Sequence, residues 1–229
     1  MSKAFSNSSV GRKILMALSG FFLLFFLLQH FAINMLSVIS PEAFNETSHF
    51  MGTNPFVQFA LQPVLIFGVV FHLVMGIVLE LKNKAARPIN YAHNKPGENS
   101  SWMSRNMIIT GMMIMLFLGL HFYDFWIPEI NTKFIQGNMS GMIEGQEGYR
   151  YFIELQHKFD CPVRTSIYVL SFVFLSLHLL HGFQSAFQSV GFNHNKYTPI
   201  IKKLGNIYAI VIPLGFIFIA LFHFINSSH

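Results

Sequence analysis

The chain contains a single cysteine, Cys161, so no internal disulfide, thiolate metal cluster or iron–sulfur centre can be built from it alone. Charge is scarce too. Only 11% of the 229 residues are Asp, Glu, Lys or Arg, where a soluble domain carries about 25%. No Gly-rich phosphate loop, zinc-ligand spacing, internal repeat or low-complexity tract is present, which leaves nucleotide hydrolysis, zinc chemistry and repeat architectures without support. The hydrophobic blocks show no apolar/polar alternation, and this excludes a membrane β-barrel. What remains is apolar: 52% of residues are hydrophobic and 27 are Phe.

Run length decides the class, because a bilayer core of about 30 Å needs roughly 20 apolar residues in helical form. Five such runs occur, at 13–39, 56–81, 103–127, 165–188 and 200–225, and they predict an all-α integral membrane protein with one membrane domain over 1–229. The first run follows a basic, Ser-rich segment but is too long for a signal peptide and has no small-residue cleavage site, so it reads as a retained anchor. Lys and Arg fall unevenly beside the spans. Lys3, Arg12, Lys13, Lys82, Lys84, Arg87, Lys95, Arg105, Lys196, Lys202 and Lys203 flank one side; Lys133, Arg150, Lys158 and Arg164 flank the other. By the positive-inside rule the N-terminus lies inside and the C-terminus outside. The net charge of +5 therefore needs no nucleic acid to explain it.

The inner connection from Lys82 to about Arg105 is polar and carries Pro88, Pro96 and Gly97, which suits either a docked peripheral subunit or lipid headgroups. The outer connection, Pro128 to Arg164, holds Glu129, Glu144, Glu147, Glu154 and Asp160 and is expected to form a cap.

Six of the 11 histidines, at 30, 72, 121, 178, 181 and 223, fall inside the apolar runs. An ionisable group in a membrane is costly and asks for a partner. A lone one is as well explained by hydrogen bonding between helices. Histidines on four helices at two shared depths are harder to explain that way. His30 lies 17 residues from Lys13 and His121 lies 18 from Met103, on two spans running outward. His72 lies 16 residues from Phe56 and His178 lies 13 from Thr165, on two spans running inward. The rise per residue puts His30 with His121, and His72 with His178, at depths separated by roughly 10 Å.

Two such pairs suit two haems, each held between helices with both axial positions filled, so the expected role is electron transfer and not oxygen chemistry. His181, one turn from His178, is the alternative ligand. His223 has no depth partner and reads as interfacial. Gly68 and Gly76 around His72, and Gly182 after His178, suit a flat macrocycle or ordinary helix packing equally.

The segment FLLQHFAIN at 26–34 running into PEAFNETSHFMGTNPF at 41–56, with FHLVMG at 71–76 and LHLLHG at 177–182, resembles the cytochrome b membrane anchor of succinate dehydrogenase and fumarate reductase. The type resembled is the five-helix, two-haem anchor made of one polypeptide, and the likeness runs along nearly the whole chain. It implies haem b ligation by His30 with His121 and His72 with His178. It further implies a quinone, usually menaquinone, as electron partner, flavoprotein and iron–sulfur subunits docked on the inner face, and a bacterial inner membrane. The dicarboxylate chemistry would belong to those other subunits. The competing readings are a two-haem anchor of a hydrogenase or formate dehydrogenase, and a haem-free structural anchor. No paired broken helices point to a transporter.

Reduction of a quinone takes two electrons and two protons, so its pocket is expected beside the His30/His121 pair with a proton-relaying group at hand. Asn34, Asn45, Glu46, His49, Tyr123 and Asp124 lie near those span ends, with Glu46, His49 and Asp124 the leading candidates. Arg12, Lys13, Lys82, Arg105 and Lys202 are the candidate partners of haem propionates at the other side.

Overall fold

The structure, a computed structural model, describes residues 8–86, 102–143 and 148–227. Arg87, Pro88, Lys95, Pro96 and Gly97 of the polar connection, Glu144 and Glu147 of the acidic one, and Lys3 lie outside the described residues. The helices are α1 (Ser9–Ile39), α2 (Pro41–Thr53), α3 (Val57–Ala85), α4 (Met107–Ile135), α5 (Tyr151–Phe159), α6 (Pro162–Ser189) and α7 (Thr198–Asn226), with a single turn at Trp102–Arg105 before α4. Among the described residues the one extended pairing is an isolated bridge between Met142 and Tyr149. Helices α1, α3, α4, α6 and α7 are long and apolar enough to cross a membrane.

Three of these begin or end four or more residues away from the apolar runs. α1 starts at Ser9, α3 continues to Ala85, and α4 runs from Met107 to Ile135 instead of 103–127. Hydropathy marks the stretch that lipid can solvate, whereas the hydrogen-bond ladder continues into polar residues until something caps it. Ser40 is such a cap: its backbone is extended and its Oγ accepts from Ala43 N at 3.2 Å, with Pro41 in the first turn of α2. Asn54 does the same for α3, its Oδ1 accepting from the N–H groups of Phe56 and Val57 at 3.0 and 3.3 Å.

Among the described residues three stretches are π-helical: Val57–Leu61 at the start of α3, and Phe122–Trp126 and Asn131–Ile135 within α4. In α7, Pro213 supplies no N–H for the carbonyl four residues back. Ser176 of α6 donates its hydroxyl to that Ala209 oxygen at 2.7 Å, so the freed acceptor is satisfied.

Polarity is arranged inside out. Phe25, Phe59 and Phe67 are 71%, 71% and 68% exposed, while Ser37, Thr110, Asp124 and His223 are each 1% exposed. Large exposed aromatics and buried polar groups are what lipid as solvent requires.

The described residues fall into two compact units. One comprises residues 8–26, 65–86, 102–112 and 175–211, and contains His72, His178 and His181. Aromatic side chains lie against helix backbone there. A Cβ on Gly68 would stand 2.6 Å from the Phe22 ring, and one on Gly205 would stand 2.7 Å from that of Phe183.

The other comprises residues 27–64, 113–143, 148–174 and 212–227, and contains His30, His121 and His223. Within it α2 and α5 are joined by the Phe152 N–H donating to Asn45 Oδ1 at 2.8 Å. Lys133, almost fully buried, donates to the Gly52 carbonyl oxygen and pairs with Glu129. Glu129 also pairs with Arg150, which reaches Glu154 through Nη1 at 2.6 and 2.8 Å. The described part of the acidic connection is thus tied to α2 by alternating charges.

Candidate functional site

Four helices bring four histidines into two ring-to-ring pairs. His72 on α3 and His178 on α6 have ring centroids 6.4 Å apart at 68°. His30 on α1 and His121 on α4 are 5.8 Å apart at 84°. Metal–imidazole bonds of about 2 Å, plus roughly 1 Å from nitrogen to ring centre, put two trans imidazole centroids about 6 Å apart. Both pairs fall close to that centroid separation. Among the described residues no group of three or more His, Cys, Asp or Glu is arranged to hold a metal ion. Two imidazoles suit a metal that brings its remaining ligands with it, as a porphyrin iron does.

The surroundings of the pairs differ. Ser19 Oγ lies 2.9 Å from His72 Nδ1, and Thr110 Oγ1 lies 3.2 Å from His178 Nδ1. Neither hydroxyl was anticipated from the sequence. In the other pair the Asn34 side-chain amide donates to the His30 carbonyl at 2.8 Å and stands 3.4 Å from a ring nitrogen of His30. The buried Nδ1 of His121 has no hydrogen-bond partner among the described residues. That pair is walled by aromatics: Phe216 beside His30, and Phe117, Phe125 and Tyr168 around His121.

His178, not His181, is the ring that faces His72; His181 is half-buried one turn further along α6. The glycines around His72 and His178, read as room for a macrocycle or as helix packing, face protein. Phe22 fills the space at Gly68, and the Met16 and Met107 methyl groups stand 3.6 and 3.1 Å from a Cβ built at Gly76 and Gly182. Those contacts are helix packing.

His223, expected at the interface, is buried. Its Nε2 lies 2.9 Å from Ser37 Oγ, and its ring packs against Phe152 and Phe159.

The residues expected to serve a quinone divide into three places. Asp124 sits in the π-helical stretch that starts directly after His121 and is 1% exposed. Its Oδ2 accepts from Tyr168 Oη at 2.9 Å and pairs with Arg164 Nε at 3.4 Å, while its buried Oδ1 has no partner among the described residues. His49 belongs instead to the α2–α5 junction, stacked on Tyr149 at 4.1 Å with Nδ1 3.3 Å from Tyr151 Oη. Burial, and then the nearby Lys133 cation, hold the His49 imidazole below its ordinary value. Burial, with Glu129 next, pushes the Tyr151 phenol up to about 12. Gly141 closes over this group with φ +65, where a Cβ would stand 2.7 Å from Tyr151 Oη and 2.8 Å from His49 Nδ1. Glu46 is exposed on α2, Tyr123 is exposed on α4, and Asn45 is occupied by the Phe152 amide. Of the cations proposed for propionates, Lys13, Lys82, Arg105 and Lys202 are exposed and Arg12 is half-buried, all in the unit of His72 and His178.

No family model and no solved structure matches the chain. Over 102 residues it is 30% identical to the succinate dehydrogenase cytochrome b558 subunit of Bacillus subtilis (strain 168), a match covering 43% of this chain and 46% of the relative. The match thus spans about half the length of that curated relative, and what it supports is a distant likeness between an all-α chain of five candidate membrane spans and a membrane cytochrome b.

Proposed function

We propose that the chain is the two-haem cytochrome b anchor of a succinate:quinone oxidoreductase in a bacterial cytoplasmic membrane. In this reading it passes electrons between a docked iron–sulfur subunit and a membrane quinone, with menaquinone the leading species. The observation that carries it is the double pairing of imidazoles from four helices, at centroid distances of 6.4 and 5.8 Å. The likeness to a succinate dehydrogenase cytochrome subunit supports the choice of complex.

His72 and His178 would hold one haem, His30 and His121 the other. Bound haem would supply one-electron carriage. The chain's own residues bind and orient it: aromatic walls exclude water around His30 and His121, and hydroxyls orient His72 and His178. Dicarboxylate chemistry belongs to the flavoprotein partner.

A quinone takes up two protons with two electrons, and Asp124 is the carboxylate closest in sequence to His121 and the best enclosed. Glu46 and His49, both on α2, complete the proposed quinone set.

Purification of the intact complex, with haem quantified per chain and succinate-dependent menaquinone reduction assayed, tests the reading. Two haems per chain and succinate-linked turnover are expected. One haem, none, or copurification with hydrogenase or formate dehydrogenase subunits rejects it.

A further inference from the structure

Ser19-Gly20 on α1 and Thr110-Gly111 on α4 are the same dipeptide in kind, a hydroxyl followed by glycine, and each receives an imidazole from another helix. The Ser19 hydroxyl donates its proton to the Met16 carbonyl at 2.8 Å, and Thr110 donates to Met107 at 3.0 Å. A hydroxyl has one proton, so what each turns toward its histidine is a lone pair. The arrangement that satisfies both contacts of each hydroxyl puts the proton on Nδ1 of His72 and of His178, because the carbonyl oxygens can only accept. The Nε2 atoms are left as the acceptors.

The glycines complete the arrangement: a Cβ on Gly20 would stand 3.7 Å from His72 Cε1, and one on Gly111 would stand 3.5 Å from His178 Cε1. Both distances are ordinary contact, so a methyl group would fit at either position beside the ring edge.

We propose that Ser19-Gly20 and Thr110-Gly111 are matched imidazole seats that fix the Nδ1–H tautomers of His72 and His178 and so set the ligand strength and potential of the haem between them. The inference rests on the reading that these histidines ligate haem. Ser19 and Thr110 are positioning residues, acting through the imidazoles. An N–H donated to an oxygen leaves more electron density on the ring and favours the ferric state. No such acceptor meets the His121 Nδ1 among the described residues.

The test uses the intact complex carrying Ser19→Ala, Thr110→Val, or the hydroxyl-keeping Ser19→Thr and Thr110→Ser. Each is read by haem per chain, reduced-minus-oxidised spectrum, redox titration and the low-spin ferric EPR signal. Ser19→Ala and Thr110→Val should raise the potential and move the EPR signal of the component that disappears in His72→Ala, and should weaken retention of that haem roughly tenfold. The other component should stay in place, and the hydroxyl-keeping variants should behave as wild type.

Unchanged spectra and potentials in both hydroxyl-free variants, or a shift in the His30/His121 component, overturn the proposal. If a hydroxyl-free variant fails to accumulate, normal spectra in its hydroxyl-keeping counterpart support the seat, and failure of that counterpart too overturns it. A wild-type complex lacking haem is a separate outcome, which removes the functional reading itself.

Discussion

The two histidine pairs are built from different materials. Around His72 and His178, hydroxyls from α1 and α4 meet each ring at its Nδ1. Around His30 and His121, aromatic faces hold the rings by shape, and a buried carboxylate, Asp124, sits three residues beyond His121. Hydrogen bonding gives a ring a direction, whereas aromatic packing gives it a position. The first construction suits a haem held in one electronic state of its ligands. The second suits a centre working beside proton chemistry.

The largest effects that bear on this contrast come from the ligands. His72→Ala and His178→Ala should each remove the same spectral component, and His30→Ala and His121→Ala the other, halving haem per chain in every case. A component lost jointly by His30→Ala and His72→Ala breaks the pairing and the comparison with it.

Next comes the ion network in the unit of His30 and His121. Glu129 is shared by Lys133 and Arg150, so Glu129→Ala leaves two largely buried cations without it and should cost roughly 3 kcal/mol of that unit's stability. Thermal unfolding in detergent, followed by intrinsic fluorescence, should show a lowered midpoint, with the His72/His178 spectrum lost later than the other component.

Tyr168→Phe should cost about 2 kcal/mol, because it strips a donor from a buried carboxylate. Asp124→Asn in the same chain should recover part of that loss. Equal losses in the single and double variants indicate that Tyr168 acts by packing alone. In the proposed quinone role, Asp124→Asn slows quinone turnover while both haem spectra persist.

The smallest effect is that of His49. Its folded-state value is lowered, so below the ordinary imidazole value of 6.5 the unfolded chain binds more protons than the folded one. The contribution of the α2–α5 junction is then complete above that pH and falls as acid protonates the ring. His49→Gln should flatten this part of the stability–pH curve. An unchanged slope assigns the acid sensitivity to other groups.

The five spans and four paired histidines were legible because hydropathy and intramembrane imidazoles are both costly patterns that a sequence cannot hide. Ser19 and Thr110 were not. A hydroxyl in a membrane helix satisfies itself on its own backbone, so its presence says nothing about a second partner. The signal available was the repeated hydroxyl-glycine step in two spans. Gly68 left two readings open for a related reason: glycine announces a close approach but not of what, and here it is the Phe22 ring. Lys133 counted in the sequence only as a flanking charge, yet it is buried between Gly52 and Glu129, 81 residues and one turn away respectively. Pairing across that distance depends on the tertiary fold and leaves no local trace.

The π-helical stretch Phe122–Trp126 has a consequence for how this chain can change length. A π turn amounts to one residue inserted into an α-helix, and each added residue rotates everything beyond it by about 100°. Deleting one residue there would restore a regular helix and relieve no clash in the lipid, so hydropathy would register nothing. It would nonetheless swing Glu129 and Lys133 a quarter turn away from Arg150 and Gly52 while leaving His121 where it is. A lineage that lost that residue would need a new set of charges to fasten α2 and α5, and the single-residue gap would be readable in an alignment of its relatives as a change of latch with the histidine frame kept.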